Sequence, residues 1–429
     1  MSKHRTRTAL AAAIAVVATG SIAAAPAAAQ APDTGDFVLR RTNVGLTKRV
    51  AALDKYLDKS GVQQLLAEAN RPTKHNGRCH RRAFGKTMPA GSQWFCFTKS
   101  DAGNGKGRVE WIPQGVTTVA DAQQNGLWGN RQALLVSWYD DAVAPKKGVR
   151  VTFLDPNTKR YRHVLLVYPY IRKNGWPSYE AVGRPQGGIH AGGVLWYGNY
   201  LYVVDTRRGI RVFDMRYIFD LHKSSRGRPG DTKHIGWGEL TLRPDVYRGY
   251  GYRYVMPQVD AWVNDAGPDN SDKGNRCAGT GAPKFSYISL DRSEVPDRLI
   301  TGEYCGKRGD VGRVARWPLD GTSGTLLADQ QDGRVHATDA HRLAANQIQG
   351  AVSYGGQWYL SRSTGKDDQG NWRNGRLITA QSNGGSLQTL GKPRRAGVGP
   401  EDLSFWPAQN ELRTVTEHEG QRMLYGVPR

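Results

Sequence analysis

A short motif recurs in this chain at a fixed interval, which limits the folds that the chain can adopt. The dipeptide Pro-Gln occurs three times, ending at Gln114, Gln186 and Gln258, so that successive copies are 72 residues apart. Weaker copies follow at Ile348-Gln349-Gly350 and at Pro400-Glu401-Asp402. Self-similarity at a regular period indicates a repeat architecture, in which each unit packs against its neighbours.

Short segments rich in β-branched and aromatic residues dominate from about residue 94 onward. Examples are Ala133–Tyr139 and Tyr200–Val204, and turn residues such as Gly198-Asn199 separate neighbouring segments. This pattern is typical of antiparallel hairpins. About four such segments follow each copy of the motif, as in the blade of a propeller. The sequence therefore predicts an all-β fold, a five-bladed β-propeller, with six blades or a sandwich of the same hairpins as alternatives.

The last predicted unit is one strand short at its C-terminal end. A strand from the N-terminal part of the chain, either Trp94–Thr98 or Arg108–Trp111, is expected to complete it. Such a strand would close the ring and remove an edge that could otherwise pair with another chain.

The first 29 residues have the three-part pattern of a cleavable export signal. Lys3, Arg5 and Arg7 form a positive region, an apolar run extends from Ala9 to Ala24, and Ala27-Ala28-Ala29 offers small residues for cleavage. No second apolar run reaches the roughly 20 residues that a membrane-spanning helix needs. We therefore predict a secreted, extracellular protein without a transmembrane segment.

A helical pattern separates the signal from the β-rich region. Apolar residues recur at steps of three and four between about residues 45 and 70, as at Val50, Leu53 and Leu57 and again at Val62 and Leu65. This period predicts an amphipathic helix. The expected organisation is a signal peptide over residues 1–29, an N-terminal extension with this helix over 30–90, and the propeller over 91–429.

The four cysteines are expected to form disulfides, because an even number of cysteines in an exported chain usually pairs. The economical pairs are Cys79 with Cys96 and Cys277 with Cys305, each of which closes a local loop. The alternative is a zinc site, since thiolate and imidazole suit that metal. Its ligands would be His75, Cys79, His80 and Cys96.

The chain is strongly basic, with a formal net charge of +22, and loss of the three basic signal residues leaves +19. A surface of this charge attracts extracellular polyanions such as acidic polysaccharides. The basic residues are scattered, so no specific nucleic-acid site is predicted. The alternative is that the charge only keeps the protein soluble.

The recurring motif also predicts a ligand site. If each copy opens an innermost strand, its polar residues form a ring at one mouth of the central channel, beside Asp402. Such a ring suits a small polar ligand or the hydroxyl groups of a sugar. The alternative is that the side chains only hydrogen-bond to neighbouring blades, because unpaired buried polar groups are costly. The ring residues are Gln114, Gln186, Gln258, Gln349 and Glu401.

Residues capable of catalysis lie near this predicted ring. A glycoside hydrolase needs two carboxylates across the bond, for which Asp260 and Glu401 are the candidates. A polysaccharide lyase instead needs a base such as His190 and a cation that neutralises a uronate carboxylate. The candidate cations are Arg184, Arg207 and Arg362.

Strand-turn-strand units such as Gly193–Asp205 resemble those of secreted bacterial β-propeller proteins, and the alanine-rich signal resembles an actinobacterial one. The resemblance covers roughly residues 94–429 and is specific for architecture, so it implies a propeller but no catalytic role. We predict a monomeric propeller that binds a carbohydrate or anionic polymer at the channel mouth. The alternative is a lyase or hydrolase acting on acidic polysaccharide, and the sequence does not identify a cofactor.

Overall fold

A computed structural model describes residues 30–42, 45–73, 78–85, 87–103, 110–142, 147–183, 188–240, 243–267, 276–307 and 309–429, with the backbone alone for 239–240 and 243–245. The predicted signal peptide lies outside these ranges. So do three residues proposed above as ligands or site residues, namely His75, Arg184 and Gln186.

Strands account for most of the ordered elements. The first fourteen are β1 (Val38–Thr42), β2 (Arg71–Pro72), β3 (Gln93–Cys96), β4 (Trp111–Thr118), β5 (Leu134–Asp140), β6 (Val149–Asp155), β7 (Arg160–Ile171), β8 (Pro177–Ala181), β9 (Val194–Tyr197), β10 (Tyr200–Asp205), β11 (Gly209–Asp214), β12 (Phe219–Asp220), β13 (Ile235–Leu240) and β14 (Arg243–Gly249). The others are β15 (Tyr254–Asn264), β16 (Tyr287–Asp291), β17 (Arg298–Gly302), β18 (Arg313–Asp320), β19 (Thr325–Leu326), β20 (Arg334–His336), β21 (Asp339–Arg342), β22 (Ile348–Tyr354), β23 (Gln357–Arg362), β24 (Asn374–Asn383), β25 (Ser386–Val398), β26 (Ser404–Trp406), β27 (Glu411–Val415) and β28 (Met423–Pro428).

Helices are short and lie mainly in the N-terminal part. They are α1 (Leu46–Asp54), α2 (Val62–Ala67), α3 (Cys79–Phe84), α4 (Lys99–Ala102) and α5 (Val119–Ala122), with 3₁₀ turns at Thr34–Asp36, Met215–Tyr217 and Pro407–Gln409. The prediction of a mostly β fold is therefore confirmed. No helix in the described part of the chain has the length and hydrophobicity needed to cross a membrane.

The main strands form antiparallel groups of four. In chain order these are β4–β5–β6–β7, β9–β10–β11–β15, β16–β17–β18–β21, β22–β23–β24–β25 and β26–β27–β28–β3. Every residue of β6 is buried, as is nearly every residue of β5. Both faces of these strands are therefore covered, and polar residues such as Arg150 and Thr152 of β6 are buried together with the apolar ones.

The first strands of the groups contact one another in a closed order: β4, β9, β16, β22, β26 and again β4. Glycine permits this close approach. A Cβ atom on Gly115 of β4 would lie 2.5 Å from the Val194 nitrogen, and one on Gly350 of β22 would lie 2.6 Å from the Leu403 nitrogen. No real Cβ contact is that short, so a larger residue at either position would force the strands apart.

The last group is completed by the N-terminal strand β3, as one of the two expected segments predicts. Trp94 of β3 lies opposite Tyr425 of β28 in an antiparallel pair. The other expected segment, Arg108–Trp111, lies partly outside the described residues, and its last residue begins β4.

One strand joins the first two groups. The N-terminal half of β15 pairs in parallel with β7, and its C-terminal half pairs with β11. The Pro257-Gln258 copy of the motif thus lies within the outer strand of the second group. The prediction that Gln258 opens the first strand of a third unit is wrong, because that strand is β16.

The predicted amphipathic helix is two helices, α1 and α2. Between them the chain is extended, where Lys59 bridges to Phe219 and the Ser60 amide donates to the Ile218 carbonyl at 2.7 Å. Gly61 then caps α2. The apolar period continues through the break because Val50 of α1 and Leu65 of α2 are both buried against the same core.

Both predicted disulfides are present, Cys79–Cys96 and Cys277–Cys305. The alternative zinc site is therefore wrong, since its two cysteines are oxidised to a cystine and cannot supply thiolates. The first bridge ties α3 to β3, the strand that completes the last group.

Removing this bridge should weaken the closure of the last group. We expect the double variant Cys79→Ser, Cys96→Ser to lose about 3 kcal/mol of unfolding free energy, from the entropy of the loop that the bridge closes. Urea denaturation followed by tryptophan fluorescence measures this loss. A variant that unfolds at the same urea concentration as the parent would contradict it.

Candidate functional site

A cavity of about 460 Å³ lies where the first strands of several groups begin. We call it the central cavity. Residues from all five groups or from their connecting loops line it, among them Gln114, His190, Lys284, Tyr304, Gln349 and Glu417. The volume falls within the range usual for small-molecule sites.

β-Bulges place two of the amides in the wall. The register of β4 against β5 shifts between Pro113 and Val116, and that of β22 against β23 shifts between Ile348 and Gly350. Gln114 and Gln349 occupy these irregularities, and both line the cavity. A bulge re-aims the side chain that it carries, so the same device presents an amide from each of two groups.

A pair of carboxyl groups lies between these two amides. Glu401 hydrogen-bonds to Glu417, which lines the cavity. The Gln349 amide donates to Glu401 Oε1 at 3.1 Å, and the Gln114 amide donates to Glu417 Oε2 at 3.4 Å. The four side chains therefore form one connected network at the cavity wall, which we call the Glu401–Glu417 pair with its two amides.

Burial keeps this pair partly protonated. It raises the pKa of Glu401 well above the usual range, and the neighbouring charge of Glu417 raises it further. Burial also raises the pKa of Glu417, although Gln114 and Arg422 oppose this. Two carboxylates this close cannot both ionise easily. Of the two, Glu401 therefore keeps its proton to the higher pH and donates to Glu417.

Asp402 lies behind the wall. It is fully buried, and its carboxyl accepts the backbone N–H groups of Val194 at 3.2 Å and Val116 at 3.4 Å. These amides belong to β9 and β4, so Asp402, which lies just before β26, ties the start of that strand to two other first strands. It does not line the central cavity, which contradicts its predicted place beside the ligand. Its hydrogen bonds support the alternative given above, in which polar residues of the motif only connect neighbouring groups of strands.

The opposite side of the cavity is basic. Lys284 is 3% exposed, and its ammonium group donates to the Arg276 carbonyl oxygen. Arg207 is exposed and also lines the cavity. Asp205 lies beside it, with its carboxylate bound to Arg211 at 2.7 Å. The cavity thus presents an acidic pair on one side and cations on the other.

His190 stands at the rim of the cavity, just before β9. Its ring stacks on Tyr139, with 4.6 Å between the ring centroids. The next residue, Ala191, has a left-handed backbone with φ of 53° and is fully buried. Its carbonyl accepts from the Ser137 hydroxyl at 2.9 Å. Such a conformation is unfavourable for alanine, so the surrounding contacts must hold the backbone next to His190 in place.

Three predicted site residues lie elsewhere. Gln258 lies on β15 and accepts a hydrogen bond from Arg211 of β11 at 3.1 Å. Asp260, also on β15, pairs with Arg41 of β1 at 2.6 Å. Arg362 donates to Asn346, and none of the three lines the central cavity. The predicted ring is therefore incomplete: Gln114, Gln349 and Glu401 converge, whereas Gln258 does not. Asp260 and Glu401 are not brought together as a hydrolase pair.

Sequence reasoning missed Glu417, Lys284 and Tyr304. Each lies outside the recurring motif: Glu417 follows β27, and Lys284 and Tyr304 flank β16 and β17. The run Thr416-Glu417-His418-Glu419 carries two acids beside a histidine in an otherwise basic chain, and this was the one available signal.

No protein-family model matches this chain, and no curated protein sequence matches it. Solved structures give weak matches. An α-L-arabinofuranosidase from Clostridium thermocellum is 10% identical, with 75% of this chain and 86% of that chain covered and a TM-score of 0.30. A glucose dehydrogenase is 13% identical (74% and 96% covered, TM-score 0.31), and a GH43_1 enzyme from Xanthomonas citri is 12% identical (89% and 93%, TM-score 0.33).

The buried pair predicts how stability changes with pH. The unfolded chain releases the Glu401 proton above about pH 4.5, whereas the folded protein retains it, so stability is lost as pH rises from there toward the raised pKa. Glu401→Gln is neutral at every pH and can keep both hydrogen bonds. We expect its unfolding free energy, relative to the parent, to increase between about pH 4.5 and pH 8.

Urea denaturation across that pH range measures the difference. Glu294→Gln is the control, because Glu294 is exposed and does not line the central cavity, and loss of its surface ion pair with Arg298 should change the pH profile little. Parallel profiles for Glu401→Gln and the parent would show that Glu401 is ionised in the folded protein.

Proposed function

We propose that this protein is a secreted five-bladed β-propeller that binds a carbohydrate in the central cavity. The closed order of contacts among the five first strands supports the blade number. The export pattern of residues 1–29 and the two disulfides support an extracellular location. The proposed ligand follows from the chemistry of the cavity wall.

The Glu401–Glu417 pair with its two amides carries this proposal. A sugar hydroxyl both donates and accepts hydrogen bonds, and this wall offers a carboxylate acceptor in Glu417 with amides on either side in Gln114 and Gln349. The groups are fixed by mutual hydrogen bonds on separate strands. A pre-organised polar wall loses little entropy when it binds a ligand.

The other side of the cavity favours a sugar that carries a negative charge. Lys284 and Arg207 line it, and the chain as a whole carries a net charge of +22. A uronic acid would place its carboxylate toward these cations and its hydroxyl groups toward Glu417 and the amides. The stacked His190 and Tyr139 at the rim add a flat surface of the kind that contacts sugar rings.

Binding should depend on the amides in the wall. Gln349→Ala removes one donor and should weaken the binding of uronic-acid oligosaccharides about tenfold, as expected for one hydrogen bond in a partly buried site. Isothermal titration calorimetry on a panel of acidic and neutral oligosaccharides measures this. Gln388→Ala, on the exposed side of β25, is the control and should bind as the parent does. Equal affinity in parent and Gln349→Ala would refute the assignment of this wall.

A second candidate function is β-elimination on acidic polysaccharide. His190 and Arg207 line the same cavity, which is the combination of base and cation that this reaction needs. The base would take the proton beside the uronate carboxylate as the glycosidic carbon–oxygen bond breaks. A double bond would form in the sugar ring, and the leaving oxygen would take up a proton.

This candidate predicts ultraviolet absorbance from the unsaturated product when the protein is incubated with uronate polymers. His190→Ala should reduce the rate at least a hundredfold, the usual effect of losing a general base. His234→Ala is the control, because His234 is exposed and bound to Asp231 away from the cavity. Tight binding without any product would leave the protein as a binding module alone.

A further inference from the structure

One tryptophan differs from the others in the described part of the chain in that it is markedly exposed. Trp372, in the loop between β23 and β24, is 44% exposed, whereas Trp138, Trp196 and Trp317 are fully buried. Exposing an indole forfeits burial of a large apolar surface. A tryptophan held at the surface therefore needs an explanation beyond packing.

The loop that carries Trp372 is internally hydrogen-bonded. The Asp367 amide donates to the Asn371 carbonyl at 2.8 Å, and the Asn371 amide donates back to the Asp367 carboxylate at 2.8 Å. The Arg373 amide donates to the Gly365 carbonyl at 3.0 Å. These bonds fix the base and the tip of the loop, so the indole is presented by a defined scaffold.

Trp372 is joined to the central cavity through His418. The two rings stack with 3.7 Å between their centroids, and His418 Nδ1 lies 3.5 Å from Oε1 of Glu417. Glu417 is itself part of the cavity wall. Burial, with the nearby charges of Arg422 and Lys366, lowers the pKa of His418 to about 4. His418 is therefore a neutral spacer between the indole and the cavity.

A cation accompanies the indole. The ammonium group of Lys366 lies 4.7 Å from the centre of the Trp372 ring, and both side chains are exposed. Because His418 stacks on the indole, a sugar would bind at the ring face over which the exposed Lys366 lies. The Lys366 side chain would swing aside, and its ammonium group would pair with the carboxylate of the sugar. The central cavity offers the same combination of an aromatic surface and a cation. The Trp372 and Lys366 pair lies next to it, on the far side of His418.

We propose that Trp372 and Lys366 form a second subsite, which takes the next unit of an acidic oligosaccharide whose first unit occupies the central cavity. This inference rests on the proposed function and specifies it. The ligand is then a chain of at least two uronic-acid units, and Trp372 and Lys366 select for its length and charge.

The test is the dependence of affinity on chain length, measured by calorimetry with uronic-acid oligosaccharides of one to four units. The parent should bind the longer chains at least tenfold more tightly than the single unit. Trp372→Ala should abolish this gain and leave the affinity for the single unit unchanged, whereas Trp372→Phe should keep most of it. Lys366→Met should reduce the gain for acidic chains but not for neutral ones. Leu327→Ala, at another exposed apolar residue, is the control.

Each other outcome is decisive. If the parent binds single units but gains nothing with length, or if Trp372→Ala weakens all lengths equally, the second subsite is wrong and the central site stands. If the parent binds no oligosaccharide of any length, the proposed function is wrong and the subsite falls with it.

Discussion

The architecture depends on how closely the first strands of the groups approach each other. At Gly115 and Gly350 the backbone of the next group occupies the space where a side chain would begin. A buried carboxyl group, that of Asp402, completes the circle by accepting amides from two other first strands. Contacts this short leave no room for adjustment, so the positions at which these strands begin are fixed relative to one another.

That rigidity is what makes a polar wall possible at the end of the strands. Carboxyl groups as buried as Glu401 are costly, and they persist only where partners are held at the right distance. Here the partners come from different groups: Gln349 from β22, Gln114 from β4, and Glu417 from the end of β27. The same network that satisfies Glu401 presents Glu417 to the cavity, so its structural and binding roles belong to the same side chains.

Local composition was enough to predict the mostly β fold, both cysteine pairs and the N-terminal strand that completes the last group. The recurring motif includes Gln114 and Gln349, which line the central cavity, and Glu401, which is bound to Gln349, but it misplaced Gln258. The physical reason is that the motif accompanies a bulge, and β15 also has a register shift there, against β11, although it is an outer strand. Gly115 and Gly350, where neighbouring first strands approach closely, identify the first strands better than the Pro-Gln motif does. Glu417 and Lys284 reach the cavity from loops. The spacing of residues along the sequence does not predict which part of the fold a loop will contact.

The pairing of β3 with β28 has a consequence for how the chain is made. Trp94 and Tyr425 are neighbours in space but lie near opposite ends of the described sequence. During synthesis β3 leaves the ribosome long before β28, because the other four groups lie between them in the chain. Pairings between such distant segments form slowly, and an unpaired edge can recruit another chain in the meantime. Until β28 is available, β3 lacks its partner and is an edge strand at which aggregation is favoured.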